Sequence, residues 1–285
     1  MNVALIGCGL IGGSIVLDLK EAGRIDQVIG VDNDPAHLDV AEKIKLIDRR
    51  GDYSDLFHAD LIILATPVDV ASQIIETILD HAGPDSIIMD VGSTKSKLCK
   101  KIESHERRGQ FVATHPIAGT EFSGPEAAFA GLFNYKIALI CDSQNSDAKA
   151  LKLVHSIYET CGSKIVEMNP VEHDRHLAYV SHLSHISSFT LGLTVLDIEK
   201  SEKNINMLAG SGFASTVRLA KSSPEMWEPI FLQNSADLKK ALDEYILHLQ
   251  DFKKMIEENN GEGLKKLMRR ANSITQILQM DTKDK

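Results

Sequence analysis

The chain has 285 residues, of which 43% are apolar and 25% are charged. These fractions match the averages of globular proteins and exclude a disordered chain, and the length favours two domains. The 31 basic and 40 acidic residues give a net charge of −9, which opposes binding to phosphate backbones or anionic lipid. Nucleic acid and membrane surfaces are therefore poor candidate partners.

The four cysteines are scattered along the chain, and no two have the spacing of a zinc or redox motif. This usage fits a reducing compartment. The start of the chain lacks the basic residues of a signal peptide, and no later apolar run has the length of a membrane span. We therefore expect a cytoplasmic protein.

Short apolar runs in the first half of the chain predict strands that alternate with helix-length segments. These runs are residues 3–6, 27–31, 61–65, 86–91, 111–114, 137–141 and 164–167. Continuous rather than alternating apolar character is typical of parallel strands that are covered on both faces. After Pro170 the strand-like runs stop and helical patterns follow. The sequence predicts an α/β domain over residues 1–168 and an all-helical domain over residues 169–285.

Two segments of the predicted helices have unusual composition. Residues 180–196 are apolar with Ser and His inserted and carry almost no charge, which predicts either a buried helix or an interface helix. Residues 95–108 are rich in Lys and Arg, and their spacing predicts the solvated face of a helix.

A GxGxxG motif follows the first predicted strand and opens a predicted helix. Gly7 suits a tight turn, Gly9 a close approach of backbone to pyrophosphate, and Gly12 close packing of helix on strand. Leu10 and Ile11 fill the variable positions, where the helix N-terminus offers free N–H groups to phosphates.

The second predicted strand is followed by Asp32, twenty residues beyond Gly12. A carboxylate there accepts hydrogen bonds from ribose hydroxyls and repels a 2′-phosphate, and no Arg or Lys follows closely, so NAD is favoured over NADP. The alternative is that the glycines only form a tight turn. Strand, spacing, helix and Asp32 together favour a Rossmann-type dinucleotide-binding domain.

Polar motifs follow two further predicted strands, at the edge where an open parallel sheet binds its ligands. His115 is a candidate base, because its unperturbed pKa near neutrality suits it to accept a hydroxyl proton. Ser93 can bind the same hydroxyl, and Glu121 can orient a polar group nearby. Spacing alone leaves open a purely structural role for His115.

The helical half contains four closely spaced histidines and one arginine in an apolar segment. The histidines are His173, His176, His182 and His185. His182 and His185 lie three residues apart on one helix face. No HExxH pattern or cysteine partner accompanies them, so we expect no metal and interpret that face as the wall of a cleft. Arg218 requires an anion, which is either a substrate carboxylate or an internal Asp or Glu.

Taken together, these motifs resemble the prephenate/arogenate dehydrogenase family of tyrosine biosynthesis over nearly the whole chain. The matching strings are GCGLIGGS, ATPV, DVGSTK, THPIAGTEFSG, SHLSH and the arginine segment that ends in EMW. The HPIAGTE string is the most specific of these. Val217 and Ser223 depart from the family pattern beside Arg218, which leaves the preferred side chain of the substrate open.

The resemblance implies NAD-dependent oxidative decarboxylation of prephenate, or of arogenate, without a metal. It implies that His115 is the catalytic base, that Ser93 holds the ring hydroxyl and that Arg218 binds a substrate carboxylate. It further implies that the wall of the substrate pocket is formed by His182, His185, Thr120, Glu121 and Gly212. Thr66 and Pro67 are then expected to form a loop against the cofactor. The helical domain is then also expected to form a homodimer.

Two alternatives remain beside this interpretation. A β-hydroxyacid or imine-type dehydrogenase has the same two-domain architecture but generally uses a lysine of the helical domain, where this chain has histidines and an arginine. A non-catalytic NAD-sensing protein has no need for Ser93, His115 and Arg218 together.

Overall fold

A computed structural model describes residues 1–120, 122–199 and 208–276. The chain divides into two compact units, Met1–Ser235 and Ala236–Lys285. The domain boundary predicted after residue 168 therefore lies inside the first of these units. Glu121, one of the predicted pocket residues, lies outside the described residues.

The strands of the described residues form one eight-stranded sheet with the order β3-β2-β1-β4-β5-β6-β7-β8. The strands are β1 (Asn2–Ile6), β2 (Gln27–Val31), β3 (Arg49–Arg50), β4 (Leu61–Leu64), β5 (Ile87–Asp90), β6 (Phe111–Pro116), β7 (Ile137–Cys141) and β8 (Lys164–Met168). All pairs are parallel except β6 with β7. From β1 the sheet continues to β2 and β3 on one side and to β4 and the later strands on the other. Open parallel sheets bind their ligands at such a switch point, beyond the carboxyl ends of the strands.

In the first half of the chain the helices pack on the sheet, and after β8 the regular elements of the described residues are all helical. The helices are α1 (Leu10–Glu21), α2 (Pro35–Lys43), α3 (Val68–His81), α4 (Ser96–Lys101), α5 (Ala148–Thr160), α6 (Pro170–Leu177), α7 (Leu183–Glu199), α8 (Ser211–Thr216), α9 (Pro224–Gln233), α10 (Ser235–Glu257) and α11 (Gly261–Asn272). A single π-helical turn, Ala178–His182, joins α6 to α7. The α/β half followed by a helical half confirms the predicted fold class.

The core lies on both faces of the sheet. All four residues of β4 and of β5 are buried, and apolar side chains from successive strand positions enter two separate clusters on opposite faces. Because side chains alternate between the faces of a strand, continuous apolar runs are what a sheet covered on both sides requires.

The structure refines the predicted elements at four places. It adds β3, whose two exposed arginines gave no apolar signal, and it extends β6 so that His115 is a strand residue. The prediction of a solvated face over residues 95–108 was wrong at both ends, since Lys95 is 0% and Arg108 is 6% exposed. Both are buried because they pair with the carboxylates of Asp90 and Asp142, respectively.

Helix α7 is the apolar helix predicted over residues 180–196. In the described residues it is not buried, because Leu193 is 62% and Leu196 is 57% exposed, and Ser188 is its one buried residue. Of the two predicted environments, the exposed apolar surface favours the interface over burial within one chain. Across the described ranges, no helix combines the length and apolar character needed to cross a bilayer.

Candidate active site

The glycine-rich turn between β1 and α1 has a different reason for each of its glycines. Gly7 has φ +89°, and a Cβ there would lie 2.6 Å from the carbonyl oxygen of Ala65. A Cβ on Gly12 would lie 2.6 Å from the Ala65 Cβ, so only glycine lets α1 pack this close. At Gly9 no atom lies within 4 Å of the Cβ position, which leaves open space in front of the turn.

The first turn of α1 is free to bind an anion. Its N-cap is Gly9, which supplies no side-chain cap, so the amide N–H groups of the first turn keep their hydrogen-bonding capacity. Leu10 is buried and the partly buried Ile11 packs against the core, so the side chains contact protein, and the binding of phosphate by their backbone N–H groups stays a prediction.

Asp32 lies directly beside this turn. Its Oδ2 accepts the backbone N–H of Cys8 at 2.8 Å and its Oδ1 accepts that of Asp34 at 2.9 Å, which fixes the carboxylate. In the described part of the chain, its one ion-pair partner is His37, at 3.6 Å. No Lys or Arg is therefore placed there to neutralise a 2′-phosphate, and the site fits NAD.

Thr66 and Pro67 form the start of the connection from β4 to α3. The backbone nitrogen of Thr66 lies 2.9 Å from where a Gly7 Cβ would stand, so this loop packs against the glycine-rich turn. Pro67 is exposed and is the N-cap residue of α3. The loop therefore packs against the glycine-rich turn, and its contact with a cofactor stays a prediction.

His115 lies near the end of β6, and its Nδ1 is 2.9 Å from Nε2 of His173 on α6. The Nδ1 of His173 is in turn 2.8 Å from Oδ1 of Asp174. Burial lowers the pKa of His115, and the nearby His173, Lys95 and His182 lower it further. The ring of His115 is therefore neutral near pH 7, as a general base must be.

A buried ion pair links the end of β5 to Thr114, the residue before His115 on β6. The ammonium of Lys95 pairs with Asp90 at the end of β5 and donates to the Thr114 carbonyl at 2.7 Å. Asp90 also accepts the backbone N–H groups of Gly92 and Thr114 at 3.0 and 3.1 Å. The pair thus joins the loop that carries Ser93 to the strand that carries His115.

Ser93 is half-buried, and within the described residues its hydroxyl has no hydrogen-bond partner. The next residue anchors its loop, because the Thr94 hydroxyl donates to Gln233 of α9 at 2.7 Å. The Gln233 amide donates in turn to the Ser72 hydroxyl of α3 at 3.2 Å. Ser93 is therefore held on a fixed loop with a free hydroxyl.

His182 and His185 pack around the single tryptophan. The rings of His185 and Trp227 stack with centroids 3.5 Å apart, and His182 meets Trp227 edge-on at 6.0 Å. Asn234 links His182 to Asp174, because its amide nitrogen lies 3.1 Å from His182 Nδ1 and donates to the Asp174 carbonyl at 2.6 Å. Burial lowers the pKa of His182 to about 4.

Arg218 is exposed, and among the described residues no carboxylate lies within ion-pair distance of it. Burial lowers the pKa of His185 and the charge of Arg218 lowers it further, which places the guanidinium near that ring. Ser188 fixes the segment to α7, since its hydroxyl donates to the Thr216 carbonyl at 3.0 Å and accepts the Ala220 N–H at 3.1 Å. Of the two alternatives for Arg218, the internal Asp or Glu partner is therefore not found among the described residues.

The remaining predicted pocket residues are not joined to this network by any described contact. The Thr120 hydroxyl accepts the backbone N–H of Phe122 at 3.2 Å within its own loop. Gly212 is exposed on α8, with no atom within 4 Å of its Cβ position. His176, which the sequence grouped with the other histidines, is exposed on α6. The described residues contain no group of three or more potential ligands arranged to hold a metal ion.

The sequence missed His173 and Asp174 as partners of His115, and Lys95 with Asp90 as the buried pair. Lys95 and Asp90 lie within the DVGSTK string, so that string was a usable signal. His173 and Asp174 lie in a helix rich in polar residues, so their sequence gives no sign of burial, and only the fold brings His173 to His115.

Comparison with known proteins gives two family profiles that together span most of the chain. Residues 15–167 match the prephenate dehydrogenase nucleotide-binding domain, and residues 169–270 match the prephenate dehydrogenase dimerization domain. The chain belongs to the prephenate dehydrogenase family. This confirms the family that the motifs resemble.

Individual relatives of the family cover nearly the whole chain. Prephenate dehydrogenase of Bacillus subtilis is 33% identical over 92% of this chain and 72% of its own length. Cyclohexadienyl dehydrogenase of Zymomonas mobilis is 30% identical over 98% and 97%. Prephenate dehydrogenase of A. aeolicus, solved with hydroxyphenyl propionate and NAD+, is 31% identical with a TM-score of 0.88, covering 97% of this chain and 98% of that one.

Proposed function

We propose that the protein catalyses the NAD-dependent oxidative decarboxylation of prephenate to 4-hydroxyphenylpyruvate, or of arogenate to tyrosine. The observation that carries this proposal is the neutral, half-buried His115 at the same edge of the sheet as the glycine-rich turn. The relatives act in the same reaction class by name, and a solved relative holds NAD+ with a hydroxyphenyl acid.

NAD+ when bound supplies the acceptor for the hydride that leaves the hydroxyl-bearing ring carbon. His115 accepts the proton of the ring hydroxyl, and Ser93, whose own hydroxyl is free, holds that oxygen in place. The electron pair of the bond to the ring carboxylate then enters the ring as carbon dioxide leaves, and the proton on His115 returns to the phenolic oxygen. Aromatisation drives the step, so the protein mainly has to orient the ring and neutralise carboxylates.

Arg218 binds a substrate carboxylate in this proposal. An exposed guanidinium near a histidine that is itself kept neutral has capacity for an anion, and its planar fork matches a carboxylate. His182 and His185 form the wall of the substrate pocket together with Thr120, Glu121 and Gly212, which remain predictions from sequence. Gly7, Gly9 and Gly12 with Asp32, Thr66 and Pro67 form the cofactor site.

We further propose a homodimer that forms through α7, in a cytoplasmic protein whose functional boundary lies between residues 168 and 169. The exposed Leu193 and Leu196 and the matched dimerization domain support the dimer. Four free, buried cysteines support a reducing compartment.

Formation of NADH by the purified protein tests the proposed function. Prephenate and arogenate are compared, each with NAD and with NADP. We expect NADH from at least one substrate and a weaker rate with NADP, because Asp32 faces the ribose without a neighbouring Lys or Arg. A folded protein that binds NAD but forms no NADH from either substrate would contradict the proposal and favour the hydroxyacid dehydrogenase or the NAD sensor.

A further inference from the structure

The rings of His115 and His173 and the carboxylate of Asp174 form a continuous hydrogen-bonded series. The two contacts measure 2.9 Å between the rings and 2.8 Å from His173 to the carboxylate. His173 is 0% exposed, and Asp174 is also buried, so water does not compete for these contacts. Each residue in the series therefore constrains where its neighbour carries a hydrogen.

The carboxylate end of the series is ionised. Its Oδ1 also accepts the backbone N–H of Lys95 at 2.8 Å, and its Oδ2 accepts that of Ser96 at 2.9 Å. Burial alone would raise the pKa of Asp174, but the hydrogen bonds from His173, Lys95 and Ser96 hold it below the ordinary value. An ionised carboxylate only accepts hydrogen bonds, so the Nδ1 of His173 carries a hydrogen.

The positions of the hydrogens on the His173 and His115 rings follow from the ionised state of Asp174. Burial lowers the pKa of His173, so its ring is neutral and carries a single hydrogen, on Nδ1. Its Nε2 is then an acceptor, and the contact at 2.9 Å requires a hydrogen on Nδ1 of His115. In a neutral His115 ring, Nε2 is left with its lone pair and no hydrogen.

We propose that His173 and Asp174 are positioning residues that hold His115 in the tautomer whose Nε2 is unprotonated and can accept a proton. The opposite tautomer places a hydrogen on Nε2 and cannot act as a base there. The proposal deepens the proposed function, since it assigns the atom of His115 that takes the hydroxyl proton.

The charged groups around His115 and His173 favour a neutral His115 ring before the reaction and stabilise its imidazolium once it has taken the proton. Lys95 precedes α4 and pairs with Asp90 of β5, and its ammonium disfavours a second positive charge on either ring. His182, on the π-helical turn, acts in the same direction on His115. When His115 takes a proton at Nε2, its Nδ1–H still donates to His173, and the charge of Asp174 stabilises the resulting imidazolium through that ring.

Two substitutions of His173 separate positioning from folding. His173→Leu removes the acceptor for the His115 Nδ1–H, whereas His173→Gln keeps one in its amide oxygen. We expect kcat to fall by roughly a hundredfold in His173→Leu and to recover partly in His173→Gln, with KM close to that of the parent protein. His176→Leu, on the exposed side of the same helix, is the matched control and should keep the parent kcat.

Nitrogen NMR of the imidazole rings tests the tautomer without any turnover. In the parent protein at pH 7, we expect His115 to carry its hydrogen on Nδ1, and in His173→Leu this preference should be lost. The proposal is overturned if the parent His115 carries its hydrogen on Nε2, or if folded His173→Leu keeps the parent kcat. A parent protein that forms no NADH contradicts the proposed function instead, while the NMR result still decides the tautomer.

Discussion

The glycine-rich turn and the histidine pair lie at the same edge of the sheet but are specified over very different sequence distances. The turn is built from residues 7–12, and the residues that contact it, Ala65 and Asp32, both lie at the ends of neighbouring strands. The pair joins His115 to a residue 58 positions away, on a helix beyond the last strand. A binding motif is therefore readable from local spacing, whereas the environment of a catalytic side chain depends on the fold.

The glycine-rich turn and the histidine pair also differ in the groups that surround their titratable side chains. Asp32 is held by the backbone N–H groups of Cys8 and Asp34, and its ion-pair neighbour in the described residues is a histidine, so its carboxylate is not neutralised by a Lys or Arg there. Around His115, in contrast, burial and the Lys95 ammonium combine to exclude a proton. In the proposed function, the first region accepts hydrogen bonds from hydroxyl groups, and the second receives a proton only during the reaction.

Substitution of His115 should break the catalytic region while leaving the cofactor region intact. For His115→Asn we expect kcat to fall by roughly a hundredfold or more, the effect of losing a general base, with NAD affinity unchanged. Steady-state kinetics and NAD titration of the same preparation measure both. A variant with the parent kcat would show that another group is the base.

Substitution of Arg218 should affect substrate binding more than turnover. Arg218→Ala leaves a substrate carboxylate unpaired, which costs about 2–4 kcal/mol and raises KM by roughly 30-fold or more. Arg175→Ala removes an exposed arginine of α6 that pairs only at 3.8 Å with Glu172, and it is the matched control. Equal KM values for the two variants would place the carboxylate site elsewhere.

The buried histidines should make the protein less stable in mild acid. The pKa of His182 is lowered from 6.5 to about 4 in the folded state, so below pH 6.5 the unfolded state binds more protons. The free energy of unfolding should therefore fall between pH 6.5 and pH 4, by about 3 kcal/mol from this residue alone. Denaturant titrations across this range measure the slope, which His182→Gln should reduce. An unchanged slope in that variant would mean that His182 is not the group responsible.

Two alanine substitutions should separate the roles of glycines in one motif. Gly12→Ala places a Cβ 2.6 Å from the Ala65 Cβ, so we expect a loss of about 1–3 kcal/mol in unfolding free energy. Gly9→Ala meets no protein atom within 4 Å, so stability should change by less than about 1 kcal/mol while NAD binds more weakly. Thermal unfolding and NAD titration compare the two, and a reversal of the pattern would contradict the assigned roles.

The sequence predicted the fold well because its signals are local. Every predicted strand is present, and the one addition, Arg49–Arg50, is too short and too charged to produce an apolar pattern. The glycine-rich turn was likewise predicted from local spacing, and the structure places Asp32 beside it. Lys95 was misinterpreted as a solvated lysine, because only the paired carboxylate of Asp90, brought to it by the ends of β5 and β6, makes its burial possible.

In the proposed reaction, hydride loss is coupled to decarboxylation, and the ratio of carbon dioxide to NADH measures this coupling. Purified protein is supplied with NAD and with whichever of prephenate and arogenate it oxidises, and both products are measured in the same reaction. We expect one carbon dioxide for each NADH, because the coupled reaction releases both from the same substrate molecule. NADH without carbon dioxide would show a simple hydroxyl dehydrogenase and contradict it.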